Sequence, residues 1–146
     1  MSRPVRHGDE RSKAAVQRRV EDAEILWRLG RREGAFTLAL VAVASAARHV
    51  QPGGSDREAF EAFLRGRFPW RISVEYRGEQ VPIETLFYKQ LRCQLIHEGE
   101  LADDVEFLDG VPEDQLVVQA GGSPNFKLKV SPGWFHKLVG CAVDVV

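Results

Sequence analysis

The order of hydrophobic and polar residues predicts that the first half of the chain is helical. Apolar residues that recur every three or four positions indicate amphipathic helices over residues 9–29 and from Ser55 to Pro69. Between them, residues 35–50 are apolar on nearly all sides, which is typical of a helix at the centre of a bundle. We therefore expect this helix to be almost wholly buried, with its neighbours packed around it.

A fourth helix is predicted over residues 84–99, which read ETLFYKQLRCQLIHEG. Phe87, Leu91 and Leu95 recur at every fourth position and give this segment one apolar face. Gly99 follows the last predicted turn, as is common for the residue that ends a helix. The segment is therefore expected to be a single α-helix that packs on the core through one side.

Alternating apolar and polar residues predict short strands on both sides of that helix. Residues 70–76 and 81–83 form a predicted β-hairpin before it, and three short runs within residues 105–131 predict further strands after it. The last segment, residues 132–146, is expected to be helical. The predicted fold class is mainly α: one domain over residues 1–146, with β-hairpin insertions at about 70–83 and 105–131 and flexible residues 1–8.

Composition and charge narrow the classes of protein that fit. The chain has 146 residues and a formal net charge of −1, so it lacks the basic excess of a general nucleic-acid-binding protein. Its longest apolar run, residues 35–47, is shorter than the roughly 20 residues that cross a bilayer. Two cysteines without a secretory signal indicate a reducing compartment. We expect a cytoplasmic protein without membrane association.

Arg92 and His97, within the fourth predicted helix, are the strongest candidates for a pair that does chemistry. An arginine can hold a phosphate through paired hydrogen bonds, and a histidine can transfer a proton near neutral pH. Positions five apart on an α-helix differ by roughly 140°, so one copy of the chain does not readily direct both side chains at one phosphate. Two copies about a two-fold axis could line a shared cleft. The spacing also fits a surface arginine and a helix-terminal histidine without a task.

The run from Tyr88 to Leu101, YKQLRCQLIHEGEL, resembles the signature helix of the HEPN superfamily, the higher-eukaryote and prokaryote nucleotide-binding domains. The motif of that family is an arginine, four to six residues and a histidine, which Arg92 and His97 match with four residues between them. We call the helix over residues 84–99 the motif helix. The resemblance implies a HEPN-like helical bundle, usually a homodimer. Many members are metal-independent ribonucleases of toxin–antitoxin, phage-defence or RNA-processing systems, and others keep the fold without the activity.

The resemblance also implies roles for individual residues. Arg92 and His97 would be catalytic, with Arg92 on the phosphate and His97 activating the ribose 2′-hydroxyl or protonating the leaving 5′-oxygen. Cys93 and Glu98, which follow them directly, are possible supporting residues. No metal or other cofactor is expected, since the ribose supplies the nucleophile, and RNA and an antitoxin are possible partners.

Several alternatives remain open from the sequence. Cys93 occupies a motif position that is commonly polar in the family, so a catalytically inactive HEPN-like module that binds RNA, a nucleotide or a protein is the main alternative. A purely structural dimer is a third. Cys93 and His97 have metal-ligand spacing without a complete ligand set, and a Cys–His nucleophile pair lacks any surrounding motif. His136, beside two aromatic residues, could stack on a base.

Overall fold

A computed structural model describes residues 7–121 and 127–145 of the chain. The fold is mainly α, with 59% helix and 13% strand, which confirms the predicted class at this level. The elements, in order, are α1 (His7–Arg28), α2 (Arg32–Val50), α3 (Asp56–Arg67), β1 (Ser73–Tyr76), β2 (Glu79–Pro82), α4 (Ile83–Leu86), a π-helical segment (Phe87–Cys93), α5 (Gln94–Glu98), β3 (Val105–Phe107), β4 (Val118–Ala120), β5 (Leu128–Val130) and α6 (Gly133–Val143).

The two ends of the chain were predicted to differ, one flexible and one helical. Residues 1–6, most of the N-terminal stretch expected to be flexible, lie outside the described residues, and α1 already begins at His7. At the other end, the predicted final helix is present as α6 and is followed by a turn. None of the helices in the described part of the chain is both long enough and apolar enough to cross a bilayer.

Helix α2 lies at the centre of the molecule, as its apolar pattern predicts. Helices α1, α3 and α6 and the motif helix all pack against it. Its buried side chains are all at 0% exposure: Ala35, Phe36, Ala39, Leu40, Ala42, Val43, Ala46 and Ala47. Five of these eight residues are alanines, so neighbouring helices can approach its backbone closely.

Helix α3 begins and ends where the sequence indicates. The hydroxyl of Ser55 accepts a hydrogen bond from the backbone N–H of Glu58 at 3.1 Å, which satisfies one of the unpaired donors of the first turn. The helix ends at Arg67, two residues before Pro69, which cannot continue it. Its buried face consists of Ala59, Phe60, Phe63 and Leu64.

The motif helix differs from its prediction in one respect. It extends over residues 83–98 without a break, but its middle part, Phe87–Cys93, is a π-helix, so the prediction of a single α-helix over residues 84–99 is wrong there. A π-helix bonds residue i to i+5 and therefore holds more residues in each turn than the 3.6 of an α-helix. The helix ends at Gly99, whose φ of 76° is in the left-handed region that favours glycine.

The spacing of the buried residues explains the wider winding. Ile83, Phe87, Leu91 and Leu95, all buried, are separated by four residues each. In an α-helix each step of four would rotate the side chain by about 40° away from the previous one, because a turn is complete after 3.6 residues. The larger π turn offsets that rotation, so all four side chains face the core.

The predicted β-hairpin before the motif helix is confirmed, but its strands are shorter or shifted: the first begins at Ser73 and not at residue 70, and the second ends at Pro82, so that Ile83 already belongs to α4. Strands β1 and β2 pair antiparallel, with Tyr76 opposite Glu79. The two residues between the strands, Arg77 and Gly78, have φ values of 51° and 82°, as a tight hairpin turn with two left-handed residues requires. The guanidinium of Arg77 donates to both carboxylate oxygens of Asp104, at 2.7 and 3.0 Å, and the Tyr76 hydroxyl donates to the same group at 2.6 Å. These bonds fix the hairpin to the loop before β3.

The second predicted hairpin insertion, over residues 105–131, is wrong in its topology. The three strands order as β3-β5-β4, with β3 parallel to β5 and β4 antiparallel to β5. Alternation of apolar residues predicts where strands lie, but not which strand pairs with which, because pairing depends on contacts between distant residues. Residues 122–126, which include the start of the third predicted strand, lie outside the described residues.

The start of α6 is packed tightly on the loop before β4. Ser131, which is buried, donates a hydrogen bond to the carbonyl of Gln115 and accepts one from the N–H of Val117, both at 2.9 Å. A Cβ atom at Gly133 would be 2.2 Å from the Gln115 carbonyl oxygen, so only glycine fits there. The second sheet is therefore attached to the helical core through this loop.

The first prediction tests the central position of α2. We expect Val43→Asp to unfold the protein, since an unpaired buried carboxylate costs several kcal/mol against a total stability of about 5–15 kcal/mol. Val50→Asp, on the same helix but 54% exposed, is the matched control and should stay folded. Circular dichroism and thermal unfolding measure both. A folded Val43→Asp protein of native stability would contradict the description of the core.

The second prediction concerns the pH dependence of stability. The hydrogen bond from Arg77 is the main factor that holds the pKa of the Asp104 carboxyl below its ordinary value of 3.8. A lowered pKa in the folded state stabilises the protein above the ordinary value, and this contribution is lost as the pH falls through the folded-state pKa. We expect Asp104→Asn to lower the free energy of unfolding by about 1–3 kcal/mol at neutral pH, and by progressively less as the pH falls below the ordinary pKa of 3.8.

Urea unfolding at a series of pH values measures this difference. Asp103→Asn, an exposed neighbour, serves as the control and should change stability little at any pH. A difference between Asp104→Asn and the native protein that stays constant from neutral to acid pH would show that the charge of Asp104 is not what stabilises the hairpin.

Candidate active site

The motif helix holds both candidate catalytic residues but exposes them to different degrees. Arg92 lies in the π-helical segment and is half-buried, whereas His97 lies in the last turn of α5 and is exposed. Cys93 is half-buried and Glu98 is exposed. The π-helical winding therefore falls on the arginine end of the motif, and π segments within α-helices occur frequently at functional sites.

The guanidinium of Arg92 is positioned by an aromatic side chain. Its Cζ atom is 5.2 Å from the centroid of the Tyr88 ring, within range of a cation–π contact. The Tyr88 ring in turn packs on Phe60 of α3, with 5.3 Å between ring centroids. Nη1 of Arg92 also contacts the sulfur of Cys93 at 4.0 Å. Tyr88, Arg92 and Cys93 thus form one cluster against α3, which we call the Arg92 cluster.

The charge of Arg92 has no carboxylate partner within 4 Å among the residues that the structure describes. Its Nε is buried and also lacks a hydrogen-bond partner there. Unsatisfied buried donors are uncommon because each costs free energy. Seven other arginines do pair with carboxylates: Arg19, Arg32, Arg48, Arg57, Arg65, Arg67 and Arg77. The Arg92 guanidinium is therefore, like the exposed Lys89, a cation of this helix that an external anion can engage without breaking an ion pair to any of the described residues.

The electrostatics around Tyr88 show which groups lie near the Arg92 cluster. Burial is the main factor that raises the pKa of the Tyr88 hydroxyl, and the nearby Cys93 acts in the same direction. Arg92 lowers this pKa, and Asp56, in the first turn of α3, raises it. The Asp56 carboxylate is held by Arg48 at 3.0 Å. Tyr88 therefore remains protonated at neutral pH, beside an arginine and near the start of α3.

The structure brings only part of the predicted site together. Arg92 and Cys93 contact one another, as described above. Within the described residues, the side chains of His97 and Glu98 form no hydrogen bond or ion pair with any other side chain. His97 therefore extends from the end of the motif helix with its imidazole open to solvent, next to Ile96, which is itself 44% exposed.

Tyr88 is the site residue that the sequence did not reveal. In the sequence it is the first residue of the run that resembles the family motif, and no role in the site was predicted for it. Tyr88 lies four residues before Arg92, which is the spacing at which side chains on a helix are neighbours. This spacing could have indicated from the sequence that the two side chains are in contact. Asp56 could not have been found in this way, because it lies 36–41 positions from the motif residues Arg92 and His97 in the chain.

The remaining candidate chemistries can be placed in the structure. In the described residues, no three His, Cys, Asp or Glu side chains converge in a group that could hold a metal ion. His136 lies 3.4 Å from the carboxylate of Glu113 and contacts the ring of Phe135. The neighbouring Trp134 and Phe135 rings are buried in the core, so they offer no surface on which a base could stack.

Comparison of the chain with models of known protein families, with curated proteins and with solved structures found no match in any of the three searches. The residues of the site and the motif that they form are therefore the features that indicate a function.

The third prediction tests whether Arg92 has a structural task. We expect Arg92→Ala to change the free energy of unfolding by less than about 1 kcal/mol, because it loses one partly exposed cation–π contact and removes an unsatisfied donor. Arg65→Ala is the contrast. Arg65 holds the carboxylate of Glu84 at 3.1 Å, and the Glu84 side chain is only 7% exposed. Arg65→Ala leaves this carboxylate without its partner and should lower the free energy of unfolding by about 2 kcal/mol or more.

Chemical denaturation of both variants measures the two values under the same conditions. If Arg92→Ala destabilised the protein as much as Arg65→Ala does, Arg92 would be a structural residue, and the prediction that it belongs to an active site would be wrong.

Proposed function

We propose that the protein is a metal-independent endoribonuclease of the HEPN type that acts as a homodimer. The observation that carries this proposal is the state of Arg92. It is a half-buried guanidinium that is oriented by Tyr88 and has no carboxylate partner in residues 7–121 and 127–145, on the same helix as the exposed imidazole of His97. An uncompensated arginine beside a titratable group suits the binding and cleavage of a phosphodiester.

The chemistry assigns one task to each residue. His97 takes the proton from the ribose 2′-hydroxyl, whose oxygen attacks the phosphorus, or donates a proton to the 5′-oxygen that leaves. Arg92 holds the non-bridging phosphate oxygens and stabilises the negative charge that develops on them. The bond from phosphorus to the 5′-oxygen breaks, and the products are a 2′,3′-cyclic phosphate and a 5′-hydroxyl. The ribose provides the nucleophile, so this route needs no metal.

The different exposure of the two residues supports the proposed dimer. Arg92 is drawn towards α3 by Tyr88, while His97 extends from the end of the motif helix. A second copy related by a two-fold axis could place its own motif helix beside the first, so that an arginine of one protomer and a histidine of the other meet at one cleft. The exposed Ile96 next to His97 suits such a contact. We also propose that the protein acts in a toxin–antitoxin or phage-defence system, with an antitoxin as its partner. The family resemblance alone supports this part of the proposal.

The second candidate function is a HEPN-like module that binds RNA, a nucleotide or a protein without cleaving anything. The contact between the Cys93 sulfur and Arg92 favours it, because the family commonly has a polar residue at that position and a thiol is a weak hydrogen-bonding group. Cys93→Asn separates the two functions. Cleavage that appears only in this variant would identify a decayed enzyme.

The fourth prediction is the cleavage assay. We expect the protein to cut single-stranded RNA in the presence of EDTA, to leave 2′,3′-cyclic phosphate ends and to spare DNA, which has no 2′-hydroxyl. Arg92→Ala and His97→Ala should each lower the rate by about 10²-fold or more. Arg28→Ala, an exposed arginine in the last turn of α1, is the control and should cleave at the native rate. Activity that EDTA abolishes, or that survives in His97→Ala, would contradict the mechanism.

Mixing the two inactive variants tests the shared cleft. Dimers that contain one Arg92→Ala chain and one His97→Ala chain would hold one intact pair if each cleft takes its arginine and histidine from different protomers. Partial recovery of cleavage after mixing is the expected result, with sedimentation confirming the dimer. No recovery from well-mixed dimers would place both residues of each pair on one chain.

A further inference from the structure

A second surface with the chemistry of nucleic-acid binding lies at the other end of α3. Its centre is Trp70, which is 37% exposed and lies just after α3. The Trp70 ring stacks on Phe68 with 6.3 Å between centroids and 13° between planes, and Phe68 is buried. Nζ of Lys137, from α6, lies 5.7 Å from the Trp70 centroid. The tryptophan ring is therefore held flat against the core while more than a third of the residue faces solvent.

Positive charge exceeds negative charge around this ring. Arg71, which is exposed, is anchored through a hydrogen bond from Nη1 to the carbonyl of Arg65 at 3.0 Å. Neither Arg71 nor Lys137 pairs with a carboxylate among the described residues, whereas Arg65 and Arg67 of α3 are held by Glu84 and Asp144. The two unpaired cations give this surface a positive balance, although the chain as a whole has a net charge of −1. We call it the Trp70 surface.

An open groove continues the Trp70 surface between α3 and α6. It measures about 460 Å³ and is lined by Gly66, Arg67, His136, Lys137, Gly140 and Asp144. A Cβ atom at either Gly66 or Gly140 would meet nothing within 4 Å, so the two glycines leave the groove wide. Because Lys137 both lines the groove and lies at the Trp70 ring, a ligand could occupy the two places together.

We propose that the Trp70 surface binds single-stranded RNA, with an unpaired base stacked on Trp70 and the adjoining phosphates held by Arg71 and Lys137. A flat aromatic ring flanked by cations is the combination by which proteins hold single strands, since every base has a face that can stack. A duplex keeps its bases stacked on one another and could not use the ring. The choice of RNA over DNA rests on the proposed function.

The surface is remote from the motif, which makes it a separate substrate-binding site. The Arg92 cluster packs at the first turns of α3, near Asp56 and Phe60, and Trp70 lies beyond the last turn. The 12 residues of α3 correspond to a length of roughly 18 Å. A strand that reached from one place to the other would need several nucleotides, so we expect this surface to favour long single strands over short ones.

Binding to 2′-O-methyl-oligouridine tests the proposal, because that strand has no free 2′-hydroxyl and stays intact whether or not the protein is a ribonuclease. Fluorescence anisotropy with a labelled strand gives the Kd of the full-length protein. Trp70→Ala should weaken binding by about 5- to 100-fold, and Trp70→Phe should retain most of the affinity. Leu29→Ala, also an exposed apolar residue, is the control and should bind as the native protein does.

The salt dependence of binding tests the cations. Lys137→Gln should weaken binding and lower the slope of log Kd against log salt concentration by about 1, as expected for the loss of one phosphate contact. Lys13→Gln, an exposed lysine of α1, should leave the slope unchanged. Duplex RNA and polyglutamate should compete weakly with the labelled strand.

The outcomes separate this proposal from the proposed function. If the protein binds the strand in a way that depends on Trp70 but cleaves no RNA, the Trp70 surface is supported and the proposed ribonuclease function is contradicted. Cleavage that depends on His97 together with unchanged binding in Trp70→Ala overturns the surface alone. No measurable binding, or equal competition by duplex RNA or polyglutamate, also overturns it.

Discussion

The burial of most of the apolar surface of α2 is the constraint on which the rest of the structure depends. A helix with so little polar surface is stable in water only when other elements cover most of it. Here α1, α3, α6 and the motif helix supply that cover, and the alanines of α2 let them come close. The motif helix is therefore held along one buried line of side chains, from Ile83 to Leu95, while its opposite side and its end remain accessible. The same packing that makes the core also presents Arg92 and His97.

The sequence predicted those parts of the fold that depend on neighbours along the chain. The period of apolar residues located the helices, and the Ser55 hydroxyl and Pro69 marked the limits of α3, because caps and helix breakers act locally. The parallel pairing of β3 with β5 was not predictable, since the partners are 23 residues apart, as Val105 and Leu128 show. The π-helical winding was also missed. No single turn of the helix requires a π-helical winding. It is required only because four side chains along the helix must all face one core.

The candidate site divides in the same way. The spacing of Arg92 and His97 was visible in the sequence, as was their place on one helix. The features that give Arg92 its character depend on the folded chain: the Tyr88 ring beneath the guanidinium, the absence of a carboxylate within the described residues, and the nearness of α3. Trp70 was read as one residue of an alternating strand pattern. Its exposed ring and the cations around it come from α3, α6 and the segment that leads to β1, which the fold alone brings together.

The π-helical segment has a consequence for how the orientation of His97 is set. It lies between the buried residues that fix the start of the motif helix to the core, Ile83 and Leu86, and the turn that holds the histidine, so its winding, together with the buried Leu95, sets the direction of that last turn about the helix axis. Removing one residue from the segment would shift the phase of everything after it by about 100°. His97 would then point in a different direction although every side chain of the site was unchanged. The direction of the imidazole therefore depends on the winding and the length of this stretch of backbone, as well as on the buried side chains that fix the helix to the core.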